Sequence, residues 1–337
     1  MKHAGIGPQR CDDSGESLQT LGGDSALWKR LQTTLAWLDA NIQHFDPLPT
    51  GFPSYRSLKR FAELSIALMC LRRLSTRTAG RPWLESWVQR TSEFQILNFG
   101  RPAYQESLVK DPLGAFSFAL PYLVLRGTGH RCIALERAMK RLLGNGLFLS
   151  VEMIPFRALD RLYFLKLAGL SVTRRGMIRW YRKTTLGARR DAVFNLDDAY
   201  SVTHTVFYMC DFGRSHTLFD ETESARVLIA LESLLVHSWR IRNWDLMGEV
   251  LAAMTCLGVD REDPLVREAE ITYYEAYRPD GTMPPNQAVQ RRQRNRPKPR
   301  SKADLRESSY FSDCYHSTLV FLLFAAINLQ PCATRAN

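Results

Sequence analysis

Apolar residues recur along this chain at three- and four-residue intervals, and alternating β-branched runs are nearly absent. That spacing places apolar side chains on one face of an α-helix and leaves little with the two-residue period of a strand. The clearest stripe is Leu27, Leu31, Leu35 and Leu38, inside a helix expected over roughly 24–45. The same period predicts helices over roughly 54–77, 82–97, 112–127, 130–144, 155–169, 174–186, 196–212, 221–239, 242–258, 263–277 and 310–329. About twelve helices with short connections are what an antiparallel array of helical hairpins requires. The fold expected is therefore all-α, an α/α toroid built from helical hairpins.

Boundary residues agree with that reading. Asp220 followed by Glu223 is a capping-box arrangement, Pro155 suits a first helical turn, and Gly213 and Gly258 close the helices before them. Two stretches lack the helical period. Residues 1–23 are polar and glycine-rich, and residues 278–302 are proline-rich and basic. The expected organisation is a disordered segment over 1–23, then a single toroid domain over 24–330 carrying a surface loop at 278–302.

Composition narrows the class. Of 337 residues, 45% are hydrophobic and 23% charged, which is the globular range. A net charge of +11 invites a nucleic-acid reading. However, Arg291, Arg292, Arg294, Arg296, Lys298, Arg300 and Lys302 carry most of the excess, and the remaining 38 basic residues face 34 acidic ones. No aromatic residue interleaves that run, so base stacking has no partner there and nucleic acid is not the expected ligand. The run is either a solvated linker or a clamp for an acidic peptide, a phosphate or nucleic acid.

The seven cysteines (Cys11, Cys70, Cys132, Cys210, Cys256, Cys314, Cys332) contain no C-x-x-C pair and are odd in number. Buried free thiols in a reducing compartment account for them better than a disulfide framework. The N-terminus has no apolar signal region, and the longest apolar run, Leu319–Ile327, is too short to span a bilayer. A cytoplasmic protein without a membrane partner is expected.

The richest polar pattern is Asn195-Leu196-Asp197-Asp198-Ala199-Tyr200-Ser201-Val202-Thr203-His204, continuing to Asp211. Asp197, His204 and Asp211 are spaced by close to two helical turns, so they share a stripe, with Tyr208 on the same side. The stripe faces either solvent or an internal cavity. Phe207, Tyr208 and Phe212 favour the cavity. A histidine beside a carboxylate can act as a general acid or base near neutral pH. Asp197 and Asp198 can raise one another's pKa or complement the helix N-terminus, and for Asp198 the dipole is the stronger reason.

A second pattern is Ser312-Asp313-Cys314-Tyr315-His316-Ser317, where Asp313 and His316 are helix-face neighbours. Its histidine, small hydroxyl residue and apolar run parallel those at His204, a faint repeat that suits a toroid's inner ring. Zinc is the cofactor these residue types allow, with His316 joined by Asp197 or His204, although no ligand pair has a diagnostic spacing. The alternative for His316 is a satisfied core histidine. A third pattern is Trp244-Asp245 with Glu249 on one face; first-turn carboxylates complementing the helix dipole explain it as well. Arg157, Asp160 and Arg161 read as a salt-bridged helix face. Walker, G-x-G-x-x-G, H-E-x-x-H and G-x-S-x-G motifs do not occur in functional contexts.

Two resemblances follow from these segments. DRLYFLKLAG (160–169), DDAYSVTHTVFYMCDFG (197–213), NWDLMGEVLAAMTCLG (243–258) and YHSTLVFL (315–322) resemble a family of uncharacterised actinobacterial proteins found in specialised-metabolite settings. The likeness covers most of residues 25–330 and implies a shared fold without an activity. More distantly, Asp197-Asp198-Ala199-Tyr200-Ser201 and Tyr315-His316-Ser317 look like the zinc-ligand segments of protein prenyltransferase β subunits, which are α/α toroids. Asp197 and His316 match, but Ala199 stands where that family has its cysteine. Terpene cyclases and lanthionine-forming cyclases share the toroid. Asn195-Leu196-Asp197-Asp198 only approximates the terpene cyclase D-x-D-D, and the Cys-His-Gly of the lanthionine cyclases is absent. Fold likeness transfers no reaction.

The function expected is a cyclase or group-transfer enzyme of specialised metabolism acting on a peptide in a central funnel. Asp197, His204, Asp211 and His316 would supply acid–base chemistry. Tyr200, Tyr208, Trp244, Asp245, Asp313 and Tyr315 would contact substrate. An isoprenoid cyclase or prenyltransferase, and a non-catalytic scaffold for a peptide or a partner biosynthetic enzyme, are the competing expectations.

Overall fold

The computed structural model describes residues 23–78, 80–111, 114–188, 195–214, 218–285 and 304–330, with side chains in the last stretch from 309 onward. Fourteen α-helices and no strand occur among them. They are α1 (Asp24–Ala40), α2 (Tyr55–Arg77), α3 (Pro82–Phe99), α4 (Pro102–Lys110), α5 (Ala115–Gly127), α6 (Ile133–Gly144) and α7 (Leu147–Ser150). There follow α8 (Pro155–Leu167), α9 (Arg174–Tyr181), α10 (Leu196–Met209), α11 (Glu221–Arg240), α12 (Trp244–Cys256), α13 (Pro264–Ala276) and α14 (Asp304–Asn328).

Packing separates the helices into two sets. Helix α2 packs on α5, α5 on α8, α8 on α10, α10 on α12, α12 on α14, and α14 returns to α2. Intervening helices lie against these: α1 on α14, α3 on α2, α4 on α5, α9 on α8, and α11 and α13 on α12. Sequence follows position. Helices α5 and α12 are buried along nearly their whole length, so they are apolar all round rather than along one stripe. The outer α6 and α9 keep a single apolar face. Gly248 lets α12 sit close to its neighbours, because a Cβ there would lie 2.2 Å from the Tyr273 hydroxyl and 2.9 Å from a Val320 methyl.

The structure modifies several boundaries. The helix expected over 24–45 ends at Ala40. Asn41 donates its side-chain amide to the Trp37 carbonyl at 2.9 Å, and a 3₁₀ turn, Ile42–Phe45, follows. Helices α4 and α7 are additional, being too short to carry a readable period. Helix α10 stops at Met209, and Asp211, Phe212 and Gly213 adopt φ of +48°, +52° and +75°, a left-handed turn that ends it. Helix α14 begins at Asp304, ahead of the 310 expected. Of the loop at 278–302, residues 278–285 pack against α1 and α14: the Gly281 carbonyl accepts from Thr34, and the Met283 amide donates to Thr318. The basic run at 291–302 and the segment 1–22 lie outside the described residues, as do Cys11 and Cys332. The other cysteines carry free thiols. One helical stretch, Ser309–Asn328, is long and apolar enough to cross a membrane, but 78% of its most apolar window is buried inside the protein.

Candidate functional site

A cavity of about 800 Å³ opens among the N-terminal turns of four helices in the closed set, α2, α8, α10 and α12, with α14 completing the wall. Local sequence fixes those helix starts. Ser54 forms a capping box with Ser57 on α2, Pro155 occupies the first turn of α8, and Asn195 and Asn243 cap α10 and α12 by accepting from the Asp198 and Leu246 amides. Caps pin each start, and each first or second turn then projects its polar residues into one space.

The centre of the site is α12. Asp245 and Glu249, four residues apart, are 4% and 3% exposed, in a helix that is otherwise apolar. A carboxylate buried in such a helix requires partners. Asp245 lies 3.3 Å from Nε2 of His316 and accepts from the Tyr200 hydroxyl at 2.7 Å. Glu249 accepts from the Thr203 hydroxyl at 2.5 Å and lies 3.5 Å from Nε2 of His204. Consecutive turns of α12 therefore present one carboxylate to each histidine.

His316 is held on both sides. Its Nδ1 lies 3.2 Å from Glu63 of α2, opposite Asp245. Burial alone would lower its pKa, but the facing carboxylates outweigh burial and raise it well above 6.5, so it is an imidazolium. Reciprocally, burial would raise Asp245 and Glu63, and His316 draws both below the usual carboxylate range, helped by Tyr200 at Asp245 and Lys59 at Glu63. The second Glu63 oxygen and His316 Nδ1 are both buried without a hydrogen-bond partner, so the Nδ1–Glu63 contact is an ion pair by distance.

His204 is held differently. Its Nδ1 is 3.3 Å from the Tyr208 hydroxyl, and Phe156 meets its ring edge-on at 5.7 Å. Behind Tyr208 lies Asp160, which is 1% exposed and 3.2 Å from Arg157. Burial pushes the Asp160 carboxyl up despite Arg157 and His204. Asp197 stands at the mouth as an exposed carboxylate, while Asp198 accepts from Thr185 at 3.1 Å.

Of the residues expected to form the site, Asp197, Tyr200, His204, Asp245 and His316 line this cavity. Tyr208 stands behind His204. Tyr315 is not a lining residue: its ring stacks on Phe311 at 5.4 Å under the Arg60 guanidinium, and its hydroxyl reaches Glu63 from behind. Trp244 and Asp313 are not lining residues. Asp211 belongs elsewhere. Fourteen residues at 1.5 Å per residue separate it from Asp197 by about 21 Å, so a shared helix face is not a shared site. It binds Arg73 at 2.9 Å and Tyr163 at 2.6 Å instead.

Lys59 and Glu63 on α2, and Phe156 on α8, escaped the sequence reading, and Arg157, taken there as part of an outer helix face, lines the cavity. Glu63 and Glu249 had a signal: each is a lone carboxylate in a run too apolar to have a solvent face (FAELSIALMC and LMGEVLAAMTC). His316 turns its two nitrogens to Glu63 and Asp245, not to Asp197 or His204, the partners expected for a zinc site. Among the described residues no group of three His, Cys, Asp or Glu side chains is arranged to hold a metal ion.

Residues 31–326 match the model of a domain of unknown function, DUF6895, and the chain belongs to that family. No curated protein and no solved structure matches the chain.

Proposed function

We propose that the protein is an acid–base enzyme whose closed cycle of helices, α2–α5–α8–α10–α12–α14, is the inner ring of an α/α toroid with its active site at the N-terminal end. One observation carries the reading: two histidines face one cavity, each set against a buried carboxylate from successive turns of the same apolar helix. Buried ionisable groups are costly, and a cavity edge is where that cost acquires a use.

His204 is the proton-transfer group. Glu249 orients it through Nε2, and the Tyr208 hydroxyl engages Nδ1. His316, clamped between Glu63 and Asp245, is a fixed positive charge that stabilises negative charge developing on the substrate. Asp197, exposed at the mouth, is the second proton-exchanging group. The cavity volume lies in the range of small-molecule sites. Its mixed-charge lining residues suit a peptide segment undergoing ring closure or group transfer better than an isoprenoid chain. A role in specialised metabolism and a cytoplasmic setting complete the proposal. The burial of the most apolar helix and the free thiols support that setting.

The test is to incubate the purified protein with short peptides encoded beside its gene and follow their mass. A mass change lost in His204→Ala, with the circular dichroism unchanged, supports the proposal. Equal conversion by His204→Ala overturns it.

A further inference from the structure

Residues 161–188 contain Arg161, Lys166, Arg174, Arg175, Arg179, Arg182 and Lys183 and no acidic residue. Five of these cations, Arg174 to Lys183, lie on α9 and the turn after it, and all five are exposed. At 100° per residue, Arg175, Arg179 and Arg182 fall on one stripe opposite the buried Met177 and Tyr181. Lys183, in the turn that follows and with its ammonium 4.7 Å from the Trp180 ring centre, lines the cavity described above.

Several arginines elsewhere are paired, Arg73 with Asp211, Arg101 with Asp46, Arg126 with Glu136, Arg157 with Asp160 and Arg261 with Glu270, and the unpaired ones described are not gathered in one row leading to the cavity. Among the described residues none of the five strip cations has a carboxylate within ion-pair distance. Local physics disfavours the arrangement. Arg174 and Arg175 sit in a first turn that would favour acids, and Arg175 and Arg179 repel one another at i,i+4. A row of uncompensated cations ending at a cavity mouth is a docking surface for negative charge.

We propose that this strip binds an acidic peptide segment and feeds the adjoining uncharged part of the same peptide into the cavity; the assignment deepens the functional reading above and rests on it. From Arg175 to Lys183 the strip is about 12 Å long, which matches about four extended residues. Charge in the cavity selects a peptide over a nucleic acid. The cavity lining holds five carboxylates, Glu63, Asp197, Asp198, Asp245 and Glu249, which outnumber Lys59, Arg157, Lys183 and the His316 imidazolium and would oppose a phosphate backbone continuing inward. A peptide can carry carboxylates on the strip and neutral residues in the cavity.

The experiment is fluorescence anisotropy with a labelled peptide whose first half is Asp/Glu-rich and whose second half is neutral. An all-neutral peptide and a single-stranded oligonucleotide of equal charge serve as comparisons. Wild type should bind the acidic peptide, and raising salt from about 50 to about 200 mM should weaken binding about tenfold. Arg175→Glu/Arg179→Glu should weaken it by about tenfold or more with an unchanged melting curve. Equal binding by the double variant overturns the proposal, and tighter binding of the oligonucleotide reassigns the strip to nucleic acid. The arms are separable: if His204→Ala converts peptides normally while the strip variant loses binding, the cavity reading fails and the docking strip stands.

Discussion

Helix α10 carries a titratable cluster just beyond its C-terminal end and another along its length, from Tyr200 to Tyr208. At the C-terminal end, the Asp211 carboxylate takes the Arg73 guanidinium at 2.9 Å and the Tyr163 hydroxyl at 2.6 Å, and Arg73 also donates to the Asp211 backbone carbonyl at 3.1 Å. Within the helix, His204 meets Glu249 at 3.5 Å and Tyr208 at 3.3 Å. Across the cavity His316 stands between carboxylates while a Glu63 oxygen nearby lacks a partner. One cluster is closed and short, the other open and longer, and the second faces the cavity described above. The Asp211 cluster ties α2 to a left-handed turn that positive φ makes unfavourable for Asp211 and Phe212. It spends its interactions on holding the chain, whereas the cavity cluster leaves some of them unmade.

The comparison predicts opposite responses. His204→Ala should reduce turnover by about 10²- to 10⁴-fold. Its melting temperature should stay within a few degrees of wild type, because the side chain is partly exposed and its bonds are long. A steady-state assay beside a thermal melt reads both. If stability collapses and residual activity scales with folded protein, the two clusters are alike and the distinction fails.

Arg73→Met should do the reverse. It leaves Asp211 and the Tyr163 hydroxyl without their cation, at a cost of about 2–4 kcal/mol in urea unfolding, below that of a fully buried pair because Asp211 keeps some water contact. Turnover per folded molecule should be unchanged. A variant as stable as wild type would show that Arg73 is not holding the turn.

Much of this contrast was legible in the chain, and the reasons for the rest are physical. Helix positions followed from periodicity because most helices bury one face. Caps at Asp220, Asn195 and Asn243 act within three residues and so are readable locally. The stripe through Asp197, His204 and Asp211 was correct as an angle and misleading as a site, since angular position is local and distance along the axis decides what can meet one substrate. The partners of His316 were not readable. Glu63 lies 253 positions earlier, and no local rule links it to α14. Asp245 was legible as a site residue, whereas Glu249 passed as a helix-start acid although the apolar residues around it left it no solvent face.

Titration distinguishes the clusters by a smaller effect. His316 has a folded pKa raised above 6.5, so its contribution to stability is complete below that pH and is lost as pH rises through the folded value. Asp245 and Glu63 have lowered pKa values, so their contribution is present above their unfolded range and is lost in acid. Stability from this cluster should therefore be greatest between about pH 5 and 6.5 and then fall by up to about 1.4 kcal/mol per pH unit until the imidazolium is gone. In His316→Gln the alkaline fall should vanish. Urea unfolding of both proteins at pH 6 and pH 9 checks this, and a parallel fall in the variant would remove His316 as its source.

The smallest effect tests how the open cluster is organised. Tyr208 stands between His204 and Asp160, and its hydroxyl is the group that reaches Nδ1 of the histidine. Tyr208→Phe keeps the ring packed against Tyr163 and Phe212 but removes that hydroxyl. The fold should lose only about 1 kcal/mol, the worth of one hydrogen bond. Asp160, already pushed up by burial, loses a donor that favours its charged form, so its carboxyl should rise further. If Tyr208 positions His204, the midpoint of the pH–rate profile should move while turnover at the optimum falls by less than about tenfold. A hydroxyl that only fills space would leave that midpoint where it is, and His204 would then be oriented by Glu249 alone.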